Sequence, residues 1–184
     1  MRYVHVVSRT AGKELLFGDQ ERETFRKILF KQLKFSGLRA LAWCFMGNHF
    51  HLLVEVPDRD SALALLSDEA MLKRLAVFEG EKSTKFLLAE LSDCRRANNA
   101  AGIGRIAARV RARLFDLSAF MKELKLRFTL AYNFAHGREG ALWEGRFRSV
   151  LVEPSGEALR AVAAYIDLNP IRAGLAERPE DYRW

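Results

Sequence analysis

Apolar and polar side chains alternate at the start of the chain, Tyr3, His5 and Val7 against Val4, Val6 and Ser8. This two-residue period in a β-branched and aromatic stretch predicts a first strand. From Asp19, expected as an N-cap, the period lengthens. Phe25, Ile28, Leu29 and Leu33 recur at helical spacing until Gly37, a residue suited to closing a helix. Two more strand-like runs, Leu38 to Met46 and His49 to Val56, flank Gly47-Asn48, a pair typical of a tight hairpin turn, and Pro57-Asp58 ends the second.

Residues 60 to 118 are Ala- and Leu-rich, charged and helix-forming, with a loop expected around Asn98 to Gly102. They read as two or three helices, with residues 60–116 as a helical insertion. From Arg105 to Asn133, Ile106, Val110, Leu114, Leu117, Phe120, Leu124, Phe128 and Ala131 keep helical spacing. They are interleaved with Arg109, Arg111, Arg113, Lys122, Lys125 and Arg127, a basic face suited to tracking phosphates. A glycine-bounded loop, His136 to Gly140, leads to a fourth strand over Arg146 to Glu153. Ser155 then caps a last helix that Pro170 ends near Asn169. The order β-α-β-β-α-β-α predicts an α+β, ferredoxin-like (RRM-like) antiparallel sheet with helices on one face and a C-terminal helix added, a single domain over residues 1–184.

Thirty Lys and Arg against twenty-three Asp and Glu leave a net charge of +7, which favours a polyanionic partner. An apolar content of 49% with 29% charged residues is that of a globular domain and excludes a disordered tail. Cys44 and Cys94 lie far apart without metal-ligand spacing, so reduced thiols in a cytoplasm are expected rather than a disulfide framework. The opening MRYVHVVSRT lacks a signal-peptide profile and no apolar run approaches membrane-spanning length; a cytoplasmic protein with no membrane partner is expected.

The string NHFHLLVEV places His49 and His51 on one face of a strand, where two imidazoles can share a metal, while Phe50 faces the other way as an anchor. Such a pair also occurs as simple hydrogen-bonded or solvated histidines. On the last helix Tyr165 and Asn169 stand one turn apart, bringing a phenol and an amide oxygen to one face. A phenolate can attack phosphorus, and an amide oxygen can complete a shell begun by two histidines around Mg2+ or Mn2+. The plain structural alternative is a packed tyrosine and an asparagine closing the helix before Pro170.

Four segments, HVVSRT at 5 to 10, CFMGNHFHLLVEVP at 44 to 57, GALWEGRFRSVLVE at 140 to 153 and YIDLNPIRAGL at 165 to 175, resemble the REP-associated tyrosine transposases of the single-tyrosine HUH superfamily. The resemblance covers roughly residues 1 to 58 and 117 to 184. It implies that His49, His51 and Asn169 hold a divalent cation and that Tyr165 is the nucleophile. It also implies a nuclease and strand transferase that nicks single-stranded DNA beside imperfect hairpins, leaving a 5′ phosphotyrosine and a free 3′ hydroxyl, as a monomer or a homodimer. Two departures stand out: residues 60 to 116 are longer than the usual connection, and the chain stops at DYRW where relatives commonly continue.

Among the other tyrosines, Tyr132 has no ligand-type residue one turn on, Tyr3 sits in the first strand and Tyr182 in the tail, so Tyr165 is preferred. Arg146 and Arg148 flank Phe147 after Trp143, an interleaving that could grip a backbone and stack a base, although both aromatics also suit a core. Arg9, Arg127 and Arg172 are further candidates to meet phosphate. His5 and His136 read as structural or hydrogen-bonding, and Glu55 as a possible partner orienting a metal-bound histidine. The competing function is a non-catalytic nucleic-acid-binding module on an RRM-like sheet, which would expose aromatics on its central strands. A replication-initiator or relaxase relative is disfavoured by the motifs after residue 140.

Overall fold

The computed structural model describes the backbone of residues 1–184 and the side chains of all but residues 68, 69, 81 and 83. Strands β1 (Arg2–Arg9), β2 (Arg39–Phe45), β3 (His49–Val56) and β4 (Arg148–Val152) form one sheet in the order β2-β3-β1-β4, each neighbouring pair antiparallel. This is the expected α+β, ferredoxin-like sheet.

Helix α1 (Asp19–Ser36) connects β1 to β2. Its N-cap is Gly18 rather than Asp19, because the Glu21 carboxylate reaches back to accept from the Gly18 N–H at 2.9 Å; Asp19 becomes the first helical residue and pairs with Arg22 at 3.0 Å. After β3 come four helices where two or three were expected: α2 (Arg59–Ala64), α3 (Asp68–Glu79), α4 (Glu81–Arg96) and α5 (Ala100–Arg111). Asp58, Ser67 and Asn99 cap the starts of α2, α3 and α5, and a single glycine, Gly80 at φ 84, separates α3 from α4.

The helical spacing from Arg105 to Asn133 does not make one helix. Phe115 turns to φ 54 and Asp116 caps a new start by accepting from the Ala119 N–H at 2.7 Å, so α6 runs Leu117–His136. Several basic side chains of the face expected on this stretch are engaged in ion pairs, Arg113 and Arg127 partly buried and Arg109 at the surface. Arg113 bonds Glu79 and Glu123 while lying 4.6 Å over the Phe35 ring, Arg127 bonds Glu79 at 3.1 Å and lies 4.0 Å over Phe78, and Arg109 bonds Glu90 at 3.2 Å.

Two cores sit on either side of α1. In the first, Val4 and Val6 of β1, Phe45 of β2 and Phe50, Leu52, Val54 and Val56 of β3 pack against Phe25, Leu29 and Leu33 of α1 and Phe120, Leu124 and Phe128 of α6. Phe25 stacks on Phe45 at 4.0 Å, and Phe128 meets both edge-on at 5.4 Å. In the second, Phe35 of α1 joins Met71, Leu75, Phe78, Leu87, Leu91, Ile106 and Val110 of the inserted helices.

Helix α7 (Gly156–Asp167) stops just short of Asn169, which with Pro170 opens a single further turn, α8 (Asn169–Arg172). Ser155 caps α7 by accepting from the Ala158 N–H at 3.2 Å. Its apolar stripe of Leu159, Val162, Ala163 and Ile166 covers Ala42, Cys44, Met46 and Leu53 on the second face of the sheet. Helices thus stand on both faces, the terminal one closing mainly the β2 side.

The inserted helices are docked through a close approach at the end of α1. Gly37 has φ 77, and a Cβ there would lie 2.2 Å from Phe115 Cε1. Gly37→Ala is expected to lower stability by about 2 kcal/mol or more, combining left-handed strain with overpacking. Urea denaturation measures this, and an unchanged midpoint would contradict the packing described.

Candidate active site

Because side chains alternate along a strand, sending Phe50, Leu52 and Val54 into the first core delivers His49, His51 and Leu53 to the opposite face. β1 sends His5, Val7 and Arg9 to that same face, with Arg9 paired to His49, Val7 to His51 and His5 to Leu53. β4 adds Arg148 beside Val7 and Val150 beside His5. His51 is buried, with 5% exposure, and His5 and His49 are half-buried.

The imidazoles of His49 and His51 lie 5.1 Å apart at 75°. His49 Nδ1 is 2.7 Å from Asn48 Oδ1, and the Asn48 amide is held by donating to the Lys13 carbonyl at 2.7 Å. An amide oxygen only accepts, so His49 carries its proton on Nδ1 and keeps a lone pair on Nε2. His51 Nδ1 is 3.0 Å from His5 Nε2. Burial pushes the pKa values of His5 and His49 down, with the Arg9 charge adding to the effect on His49. Burial, then His49, His5 and Arg9, push that of His51 down to about 3. Imidazoles so shifted are neutral near pH 7, the form that offers a lone pair to a metal.

Ile166 is fully buried in the cluster that contains Leu53, and this seats α7 so that its neighbour Tyr165 overhangs the histidines. The Tyr165 ring stands edge-on to His51 at 5.7 Å and to His5 at 5.9 Å, remains 41% exposed, and carries the Arg172 guanidinium 5.4 Å above it. Four residues on, at the start of α8, the Asn169 amide donates to the Tyr165 carbonyl at 2.7 Å, and its Oδ1 makes no hydrogen bond among the described residues. Among the described residues no group of three or more His, Cys, Asp or Glu side chains is arranged to hold a metal. His5 Nε2 faces His51 Nδ1 and is not a third donor beside the pair. The His49 and His51 rings stand side by side, while the Asn169 side chain is anchored on the Tyr165 and Ile166 carbonyls and makes no hydrogen bond to either ring among the described residues.

Beside the histidines a cleft of about 260 Å3 is lined by Val7, Ser8, Arg9, Glu144, Gly145, Arg146 and Arg148. No ion pair among the described residues engages its three guanidinium groups. Arg127, bonded to Glu79, lies outside this cleft. Glu55 pairs with Arg39 and makes no hydrogen bond to a histidine among the described residues. Trp143 belongs to the core, with 9% exposure, whereas Phe147 lines a groove with Lys122, Lys125 and Arg146. Tyr132 is buried in the first core and stacked on His136 at 4.2 Å, and Tyr182 donates to the Phe45 carbonyl at 2.7 Å. Neither shares a ring contact with the histidine pair.

His5 is the site residue that the sequence underplayed. It is hydrogen-bonded, as read, but its partner is His51. Its odd position in β1 was a visible signal; what the sequence could not supply was the strand register that sets it diagonally from His51.

These features define a ferredoxin-like sheet with a paired-histidine face and a helix-borne tyrosine standing over it. No family model and no curated protein matches the sequence. Among solved structures, all of the chain (100%) aligns with 74% of a REP-associated tyrosine transposase bound to a REP hairpin, with a TM-score of 0.59 and 14% identity. A candidate transposase from Deinococcus radiodurans R1 aligns over 90% of this chain and 88% of its own, with a TM-score of 0.43 and 13% identity. The chain has a fold like that of the REP-associated tyrosine transposases.

Proposed function

We propose that this protein is a transposase-type enzyme that nicks and rejoins single-stranded DNA at hairpin-bearing sequences, using Tyr165 as the nucleophile. The observation that carries the reading is the Tyr165 ring standing 5.7 Å from that of His51, which is itself paired with His49 on the sheet face. The likeness in fold to a transposase bound to a REP hairpin supports DNA as the partner. Among the described residues no helix is long and apolar enough to cross a membrane, and the cytoplasm is the compartment that suits a DNA substrate.

In this reading the single strand lies along the second face of the sheet, with its phosphates on Arg9, Arg146 and Arg148. Mg2+ or Mn2+, held by Nε2 of His49 and His51 and by Oδ1 of Asn169, would polarise the scissile phosphate and stabilise charge on the departing oxygen. The Tyr165 oxygen attacks phosphorus as the bond to the 3′ oxygen breaks. The phenolic proton is lost to solvent, and the 3′ oxygen takes one up. The product is a 5′ phosphotyrosine, which keeps the phosphoester bond available for rejoining to another 3′ hydroxyl. Arg172, 5.4 Å over the Tyr165 ring, brings a cation beside the nucleophile, where it can meet a phosphate oxygen.

The non-catalytic alternative fits less well. On the open face the central strands β1 and β3 present His5, Val7, Arg9, His49 and His51, and Tyr3 is their one described aromatic besides these imidazoles, while Phe50 is fully buried in the core. A stacking platform for bases is therefore missing from the middle of the described sheet.

Incubation with labelled single-stranded hairpin oligonucleotides and Mn2+ should give a denaturation-resistant protein–DNA adduct. Tyr165→Phe should abolish it while leaving oligonucleotide binding nearly intact; an adduct that persists in this variant would remove Tyr165 from the role. Arg146→Ala with Arg148→Ala should reduce the salt dependence of binding by about 1 to 2 counterions, whereas Arg127→Ala should leave it unchanged. Binding measured from low to moderate salt tests this, and the opposite ranking would move the DNA path to α6.

A further inference from the structure

We propose that His5 is a positioning residue that fixes the ring of His51 for metal binding; this rests on the reading of His49 and His51 as metal ligands. The His5 and His51 rings are nearly parallel, 15° apart with centroids at 5.2 Å, and their facing nitrogens, His5 Nε2 and His51 Nδ1, are 3.0 Å apart. One of the two must donate and the other accept. If His51 offers the lone pair of Nε2 to a metal, its proton sits on Nδ1, and His5 Nε2 must be the acceptor. His5 then carries its own proton on Nδ1.

The arrangement repeats at the neighbouring ligand with different chemistry. Asn48 Oδ1 accepts from His49 Nδ1 at 2.7 Å and leaves that Nε2 free in the same way. The two outer partners come from different elements, the turn before β3 and the middle of β1, so both rings are held without a carboxylate. Glu55, the carboxylate nearest in sequence to the pair, is engaged by Arg39 instead. His5 also meets the Tyr165 ring edge-on at 5.9 Å, so the residue that orients the ligand touches the proposed nucleophile as well.

Isothermal titration of the full chain with Mn2+ tests the assignment. His5→Leu should weaken Mn2+ binding by about 10- to 100-fold, the range for loss of an outer-shell partner, whereas His5→Gln, whose Oε1 still accepts, should stay within about threefold of the parent. His51→Ala should abolish binding at this site. If His51→Ala binds Mn2+ like the parent, the metal-site reading fails; if it loses binding but His5→Leu does not, the role of His5 fails alone. Equal losses in His5→Leu and His5→Gln would also overturn it. Nitrogen-15 NMR of the metal-free parent, which needs no variant to fold, should find the His51 proton on Nδ1; a proton on Nε2 would contradict the proposal.

Discussion

The site depends on one constraint, the two-residue period of β3. Phe50, Leu52, Val54 and Val56 are all buried in the first core, and each such side chain is worth about 1.5–3 kcal/mol when removed from water. A slip of one residue would drive His49, His51 and Glu55 into the first core and move Phe50, Leu52, Val54 and Val56 out of it, so this register is strongly preferred. The same energy that folds the sheet therefore aims both imidazoles at the opposite face. α7 reads that face in turn: Ile166 is buried in the cluster that contains Leu53, and Tyr165 follows from the position of Ile166.

Charge is sorted by the fold rather than spread over it. Two arginines of the α5 to α6 region turn inward, Arg113 and Arg127, sharing Glu79 and lying against Phe78, so they bind the inserted helices to α1 and α6. At the other end of the sheet, Arg9, Arg146 and Arg148 surround a cleft with only Glu144 for acidic company. Guanidinium groups with no ion pair among the described residues attract a phosphate more effectively than the same groups held in internal ion pairs, because a paired guanidinium must first give up its carboxylate.

The strands, α1 and α7 were legible because each carries a clean period and a local stop: alternation over β1 and β3, Gly37 after α1, Ser155 before α7. The pairing of His49 with His51 was legible for the same reason, since a spacing of two along a strand translates directly into a shared face; Tyr165 and Asn169 were read as one helix, whereas α7 ends at Asp167 and Asn169 opens α8. The inserted helices were harder, because apolar spacing runs on through the break at Phe115 and only backbone conformation stops it. Long-range partners were invisible. Arg127 finds Glu79 across 48 residues and His5 finds His51 across 46, distances over which no local pattern carries information.

The central claim is that the histidine pair and the last helix form one metal-binding and nucleophilic site. Anomalous diffraction from crystals grown with Mn2+ addresses it most directly. The account predicts a single strong peak bonded to Nε2 of His49 and of His51, on the side where Tyr165 and Asn169 approach. A peak bonded through Nδ1, or bound Mn2+ confined to another part of the surface, would contradict it.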